Sequence, residues 1–146
     1  VVGYNAGVQK ILIVGSGDVA RRILSRIVSH ARVYALLRSA GRMAEWRDAG
    51  AMPVLADLDD RGSLQRIAGL ADYVLHLAPP PGEGRLDTRT RNLLAALGKA
   101  KSLPRRLVYV STTGVYGDCG GPQTDETRRL NPESARAGRR VDAARC

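Results

Sequence analysis

Phenylalanine is absent from these 146 residues, and one Trp with five Tyr brings the aromatic share to only 4%. The stacking platform that single-stranded nucleic acid needs is therefore missing. Lysine is scarce as well: of 23 basic residues three are Lys (Lys10, Lys99 and Lys101) and twenty are Arg, which against 14 acidic residues gives a net charge of +9. The doublets Arg21-Arg22, Arg105-Arg106, Arg128-Arg129 and Arg139-Arg140 are isolated pairs and not a block. Nucleic acid is accordingly not an expected partner. The two cysteines, Cys119 and Cys146, form neither metal-ligand spacing nor a disulfide framework, so free thiols in a reducing cytoplasm are expected. No apolar run approaches the ~20 residues that cross a bilayer, which excludes a helical membrane span. Val1 stands where an initiator Met is expected and no basic-then-apolar leader follows. That pattern does not read as a secretory signal, and the expectation is a cytoplasmic piece of something longer.

What is present is the composition of a folded domain. Hydrophobic residues make up 44% and charged residues 25%, and the length suits one domain of about 100 to 200 residues. Lys10-Ile-Leu-Ile-Val14 is a short apolar run rich in β-branched residues, ended by Gly15, with Val19, Ile23 and Ile27 at helical spacing directly behind it. Strand signals recur at Arg32–Leu37, Met52–Ala56, Asp72–Leu77 and Arg106–Val110. Pro53 confines the third of these to a strand start or a sheet edge. Between them, residues 41–49, 60–70 and 86–103 carry helical patterns, and a last helix is expected from about Pro132 to Cys146. Strand and helix alternate five times, and the strands are continuous apolar runs, as when both sheet faces are covered. The fold class is α/β, a doubly wound parallel sheet, with residues 1–146 forming one domain.

Gly15-Ser-Gly17-Asp18-Val19-Ala20 is a G-x-G-x-x-A sequence between strand and helix. Gly15 permits the tight turn, Gly17 lets backbone approach a pyrophosphate, and Ala20 allows close helix-to-strand packing. The free N–H groups at the helix start attract phosphate. The alternative is a glycine turn with no ligand, but the strand before and the helix after supply the context that a dinucleotide-binding motif requires. At the end of the second strand an Asp or Glu would bind a ribose 2′-hydroxyl, whereas this sequence has Leu37-Arg38-Ser39 with Arg42 nearby. Arg38 can pair with a 2′-phosphate, so NADP is favoured and NAD is the alternative.

Taken with Ala56-Asp57-Leu58, Leu77-Ala78-Pro79-Pro80, Val110-Ser-Thr-Thr-Gly-Val-Tyr-Gly117-Asp118, Thr124-Asp125-Glu126 and Asn131-Pro132, the glycine motif gives the chain a family look. It resembles the amino-terminal part of an extended or atypical short-chain dehydrogenase/reductase of the NAD(P)-dependent epimerase/dehydratase group. The resemblance implies a Rossmann-type NAD(P)-binding fold. It puts Asp57 and Leu58 near the adenine, and Leu77, Ala78 and Pro79 near the ribose and pyrophosphate. Ser111 and Thr112 would then lie beside the nicotinamide and the substrate. It further implies hydride transfer to or from a small-molecule substrate, a nucleotide sugar or another carbonyl or hydroxyl compound, and a homodimer built on long helices. Read from the residues alone, Asp57 also suits a helix cap, and Ser111 and Thr112 also suit a strand-end turn. His76, within the fourth apolar strand, reads as a core residue more than as a base.

One departure from the family pattern stands out. The resemblance implies a Tyr-x-x-x-Lys pair for proton transfer, and aligning on Pro132 and Gly138 puts Ala137 and Val141 at those places. The stretch through Gly138-Arg139-Arg140 is similar to an atypical subgroup without that pair. Tyr116, as a catalytic acid or simply a packed turn residue, and Arg139 are the candidates left nearby. A non-catalytic NAD(P)-binding regulatory module is therefore the alternative to an oxidoreductase.

Overall fold

The computed structural model describes residues 7–121 and 123–146. Five strands form one parallel sheet: β1 (Lys10–Val14), β2 (Arg32–Leu37), β3 (Met52–Leu55), β4 (Tyr73–His76) and β5 (Arg106–Tyr109), in the order β3-β2-β1-β4-β5. The central strand β1 sets Ile13 opposite Ala35 on one side and opposite Leu75 on the other. A strand flanked on both edges and covered on both faces is shielded from water, which is why β1 is apolar from Ile11 onward and fully buried over its last three residues.

The helices are α1 (Asp18–Ile27), α2 (Met43–Asp48), α3 (Thr88–Leu97) and α4 (Ala135–Ala144). On one face Ile13, Val33, Ala35 and Leu37 pack with Ala20 and Leu24 of α1 and Trp46 of α2. On the other, Leu12, Val14, Leu36 and Val74 pack with Leu93, Ala96 and Leu97 of α3 and with Leu64 and Ile67. Leu12 and Ile13 are fully buried, so truncating either to Ala removes about 3 kcal/mol of stability.

The alternation expected from the sequence is present, with two main differences and two shifted helix starts. The helix expected over 60–70 is a five-residue 3₁₀ turn, Ser63–Ile67. The hydroxyl of Ser63 donates to the carbonyls of Asp60 (2.7 Å) and Asp57 (3.2 Å), and Gly69 turns the chain at φ +70°. Side chains that bond their own backbone compete with α-helix, and here they win. The second difference concerns β5, where Val108 is 49% exposed, so one face of this strand is uncovered. Pro53 lies in β3, the edge strand opposite β5, where a missing N–H breaks no ladder. α3 begins at Thr88, two residues after the expected start, because Asp87 caps it. Likewise α4 begins at Ala135, capped by Ser134.

Candidate functional site

The strands all point their carboxyl ends at one side of the sheet. The chain crosses from β3 back past β1 to β4, so β1 and β4 diverge there into opposite helical layers. Such a switch point leaves a crevice. A cleft of about 430 Å³ occupies it. The β1–α1 turn supplies Gly15, Ser16 and Gly17, and the end of β2 supplies Leu37, Arg38 and Ser39. Ala56, Asp57 and Leu58 after β3 and Leu77, Ala78 and Pro79 after β4 complete the walls, with Arg42 and Arg89 reaching in.

Gly15 has φ +104°, and a Cβ there would lie 2.4 Å from the Ala78 nitrogen. No side chain fits. At Gly17 the backbone is extended, and a Cβ would meet nothing within 4 Å. The protein leaves that space clear, as a phosphate approaching the backbone requires. No side chain caps α1, so the amides of its first turn have no intramolecular partner supplied by a cap. Ala20 is fully buried in the layer between α1 and the sheet. Asp18, paired with Arg22 at 2.7 Å, and Val19, 56% exposed, belong to the same turn but do not line the cleft.

Three arginines face this space, and two are already engaged. Arg42 donates from Nη1 to the Ser16 carbonyl at 2.8 Å and pairs with Glu45, pinning the glycine turn. Arg42, aided by Arg21, holds the Glu45 carboxyl below the usual carboxylate range. Arg89 grips Asp59 through two bonds of 2.9 and 2.6 Å and donates to the carbonyls of Pro79 and Pro80. That hydrogen-bonded pairing likewise lowers the Asp59 carboxyl. Arg38 is exposed at the end of β2 and forms no ion pair among the described residues. Asp57 turns its Oδ1 onto the Asp59 amide at 2.9 Å, capping a turn and not a helix.

Ser111, Thr112 and Tyr116 lie on a separate shoulder after β5 and do not line the cleft. Thr112 is exposed, and its hydroxyl accepts from the Gly114 amide at 3.4 Å, the strand-end turn open to it from sequence. Tyr116 is half-buried in a 3₁₀ turn, Thr113–Tyr116. Gly117 follows at φ +71°, so close to the Asn131 carbonyl that a Cβ would stand 2.4 Å away. Ala137 and Val141 are buried on α4. His76 is buried too, its Nε2 2.8 Å from the Thr90 hydroxyl, which donates to Asp87 Oδ2 at 3.0 Å. Burial pushes its imidazole down to about 4. Neither Arg89 nor the Ser16 carbonyl is legible in the sequence, because their roles depend on partners distant along the chain. Among the described residues no group of His, Cys, Asp and Glu could hold a metal ion. Among the same residues no helix is long and apolar enough to cross a membrane.

Comparisons with known proteins agree with this geometry. A family model described as NAD(P)H-binding matches residues 15–144. A 4-hydroxy-2-methyl-3-oxo-4-farnesyl-3,4-dihydroquinoline-1-oxide ketoreductase from Stigmatella aurantiaca is 33% identical over 127 residues, covering 80% of this chain and 37% of that protein. Among solved structures, a Burkholderia cenocepacia J2315 protein assigned as an epimerase superposes with a TM-score of 0.79 at 24% identity, over 95% of this chain and 50% of its own. A short-chain dehydrogenase/reductase superfamily protein from Agrobacterium tumefaciens, with bound NAD, gives a TM-score of 0.74 at 25% identity, over 93% and 43%. The chain thus spans half or less of the length of each of these proteins. With the match running from the first glycine of the motif to the end of α4, this chain belongs to the NAD(P)H-binding family and has the Rossmann-type fold of short-chain dehydrogenases/reductases.

Proposed function

We propose that this chain is the NADP-binding domain of an atypical epimerase/dehydratase-like oxidoreductase. The observation that carries the preference for NADP is Arg38: an exposed guanidinium at the end of β2 with no ion pair among the described residues, where an acidic residue would repel a 2′-phosphate and select NAD. A nicotinamide dinucleotide supplies hydride donor and acceptor chemistry when bound. Gly15 and Gly17 with the amides at the start of α1, carried by Asp18, Val19 and Ala20, receive the pyrophosphate. Asp57 and Leu58 border the adenine, and Leu77, Ala78 and Pro79 border the ribose and pyrophosphate. Ser111 and Thr112 hold a small carbonyl or hydroxyl compound on the shoulder beyond β5, and Tyr116 is the proton donor nearest to them in sequence. The Stigmatella ketoreductase supports a ketone substrate class.

The reading is tested by titrating NADPH and NADH against the fluorescence of Trp46, the chain's one tryptophan. NADPH is expected to bind more tightly, and Arg38→Ala to weaken it about 30-fold while changing NADH less than about three-fold. Equal losses for both nucleotides would overturn the NADP assignment. A second reading, a non-catalytic NAD(P)-binding regulatory module, is favoured by one observation: Ala137 and Val141, where a Tyr and a Lys would stand, are buried apolar packing residues. Tight NADPH binding without oxidation by any ketone or nucleotide sugar in the complete gene product would decide for the module.

A further inference from the structure

Residues 78–86 connect the cleft to α3 and make no backbone-to-backbone hydrogen bond among the described residues. Side chains hold this loop instead. Arg89 of α3 donates to the carbonyls of Pro79 and Pro80. Arg139 of α4 donates from Nη1 to the Gly84 carbonyl at 2.7 Å and from Nη2 to the Gly82 carbonyl at 3.1 Å. Asp142, also on α4, accepts from the Asp87 amide at 2.8 Å. Arg139 is 5% exposed, its Nε has no partner, and no carboxylate pairs with it among the described residues. A buried guanidinium without a counter-charge is a costly way to fill space. What it gains here is two carbonyls of one loop, taken by a planar fork that a lysine lacks. Between that fork and the cleft lie Pro79, Pro80 and Pro81, three consecutive residues of fixed φ, so the loop passes on displacement as a stiff rod.

We infer that Arg139 is a positioning residue for the dinucleotide: by fixing Gly82 and Gly84 it sets the Leu77–Pro79 wall of the cleft. It acts through the loop, since neither it nor the two glycines line the cleft. The inference rests on the dinucleotide reading given above and adds a residue to it. The Arg38 side of the cleft is built from the end of β2 and shares no residue with this loop, so NADPH and a ligand that meets less of the Leu77–Pro79 wall are expected to respond differently.

The test uses the chain with Arg139→Lys and, as the more drastic change, Arg139→Met. Calorimetry measures NADPH and 2′,5′-ADP binding, and hydrogen exchange follows residues 80–86. Both variants are expected to weaken NADPH about ten-fold and 2′,5′-ADP, which meets that wall with one ribose and one phosphate only, by about three-fold or less, with faster exchange in the loop. Equal losses for the two ligands would mark Arg139 as a general packing residue and overturn the inference, as would unchanged loop exchange. A wild-type chain that binds NADPH, with variants that bind it equally well, overturns the role of Arg139 alone. A wild-type chain that binds neither nucleotide overturns the dinucleotide reading itself, and with it the role given to Arg139.

Discussion

The helices α1 and α3 both follow strands that end at the cleft, yet their first turns are finished in opposite ways. α1 begins on Gly17, with no side chain on its amides and open space where a Cβ would go. α3 begins on Asp87, 1% exposed, whose Oδ1 accepts from the Thr90 amide at 3.0 Å and whose Oδ2 accepts from the Thr90 hydroxyl, itself bonded to His76. A helix start that is not capped from within forgoes about 1 kcal/mol of stability. That is tolerable where an outside anion completes it. The first turn of α3 is closed from within and has no room for a ligand; that of α1 is kept available.

The largest effect belongs to the turn before α1. Gly15→Ala places a methyl against Ala78 backbone at a positive φ, and is expected to lower stability by about 3 kcal/mol, roughly 10 °C in Tm, with loss of NADPH binding. A variant that melts like wild type would remove the claim that the turn is dictated by β4.

Next comes the pH dependence of the closed start. The His76 imidazole titrates at about 4 in the folded chain against an ordinary 6.5, so the unfolded chain takes up the proton first. This contribution to stability is complete above pH 6.5 and is lost as pH falls toward 4, by about 3 kcal/mol in all. Urea midpoints at pH 7 and pH 5 should therefore separate in wild type and draw together in His76→Gln. An unchanged separation would place the sensitivity elsewhere.

Smaller again, Asp87→Ala strips the cap from α3, leaving the Thr90 amide unsatisfied and the Thr90 hydroxyl with His76 alone, at about 2 kcal/mol by urea denaturation. NADPH affinity of the folded chain should stay within about two-fold, because Asp87 is outside the cleft. Gly17→Ala is the mirror of this change. Its stability should move by less than about 0.5 kcal/mol, since the methyl meets nothing, while NADPH binding falls at least about ten-fold. Should Gly17→Ala bind NADPH normally, the contrast between the two helix starts would have no functional content.

The open start was legible in the sequence and the closed one was not, for a physical reason. Gly15, Gly17 and Ala20 act within six residues of one another, between a strand and a helix whose patterns are themselves local. The doubly wound parallel sheet followed from the same alternation. By contrast Arg42 bonds a carbonyl 26 residues away and Arg139 carbonyls 55 and 57 away. The sequence marked Arg42 and Arg139 only by their place near the second strand and the missing Tyr-Lys pair, and the carbonyls they hold were not legible in a chain with twenty arginines. The 3₁₀ turn at Ser63–Ile67 was missed because hydroxyl and carboxylate bonds to nearby backbone outweighed a correct apolar period.

The contact between Gly15 and Ala78 also bears on the order in which the molecule assembles. Gly15 closes β1, but its neighbour across the turn is 63 residues later, after β4 has docked along Ile11–Val14. Parallel pairing over such separations is slow, since loop closure precedes any gain in contacts. β1 can pair with β2 as soon as residue 37 is available, but the seat for a phosphate has no far wall until β4 arrives. The motif that is easiest to read in the sequence is therefore complete only once the long-range pairing of β1 with β4 has formed, and a ligand that fits it selects for molecules that have completed the sheet as far as β4.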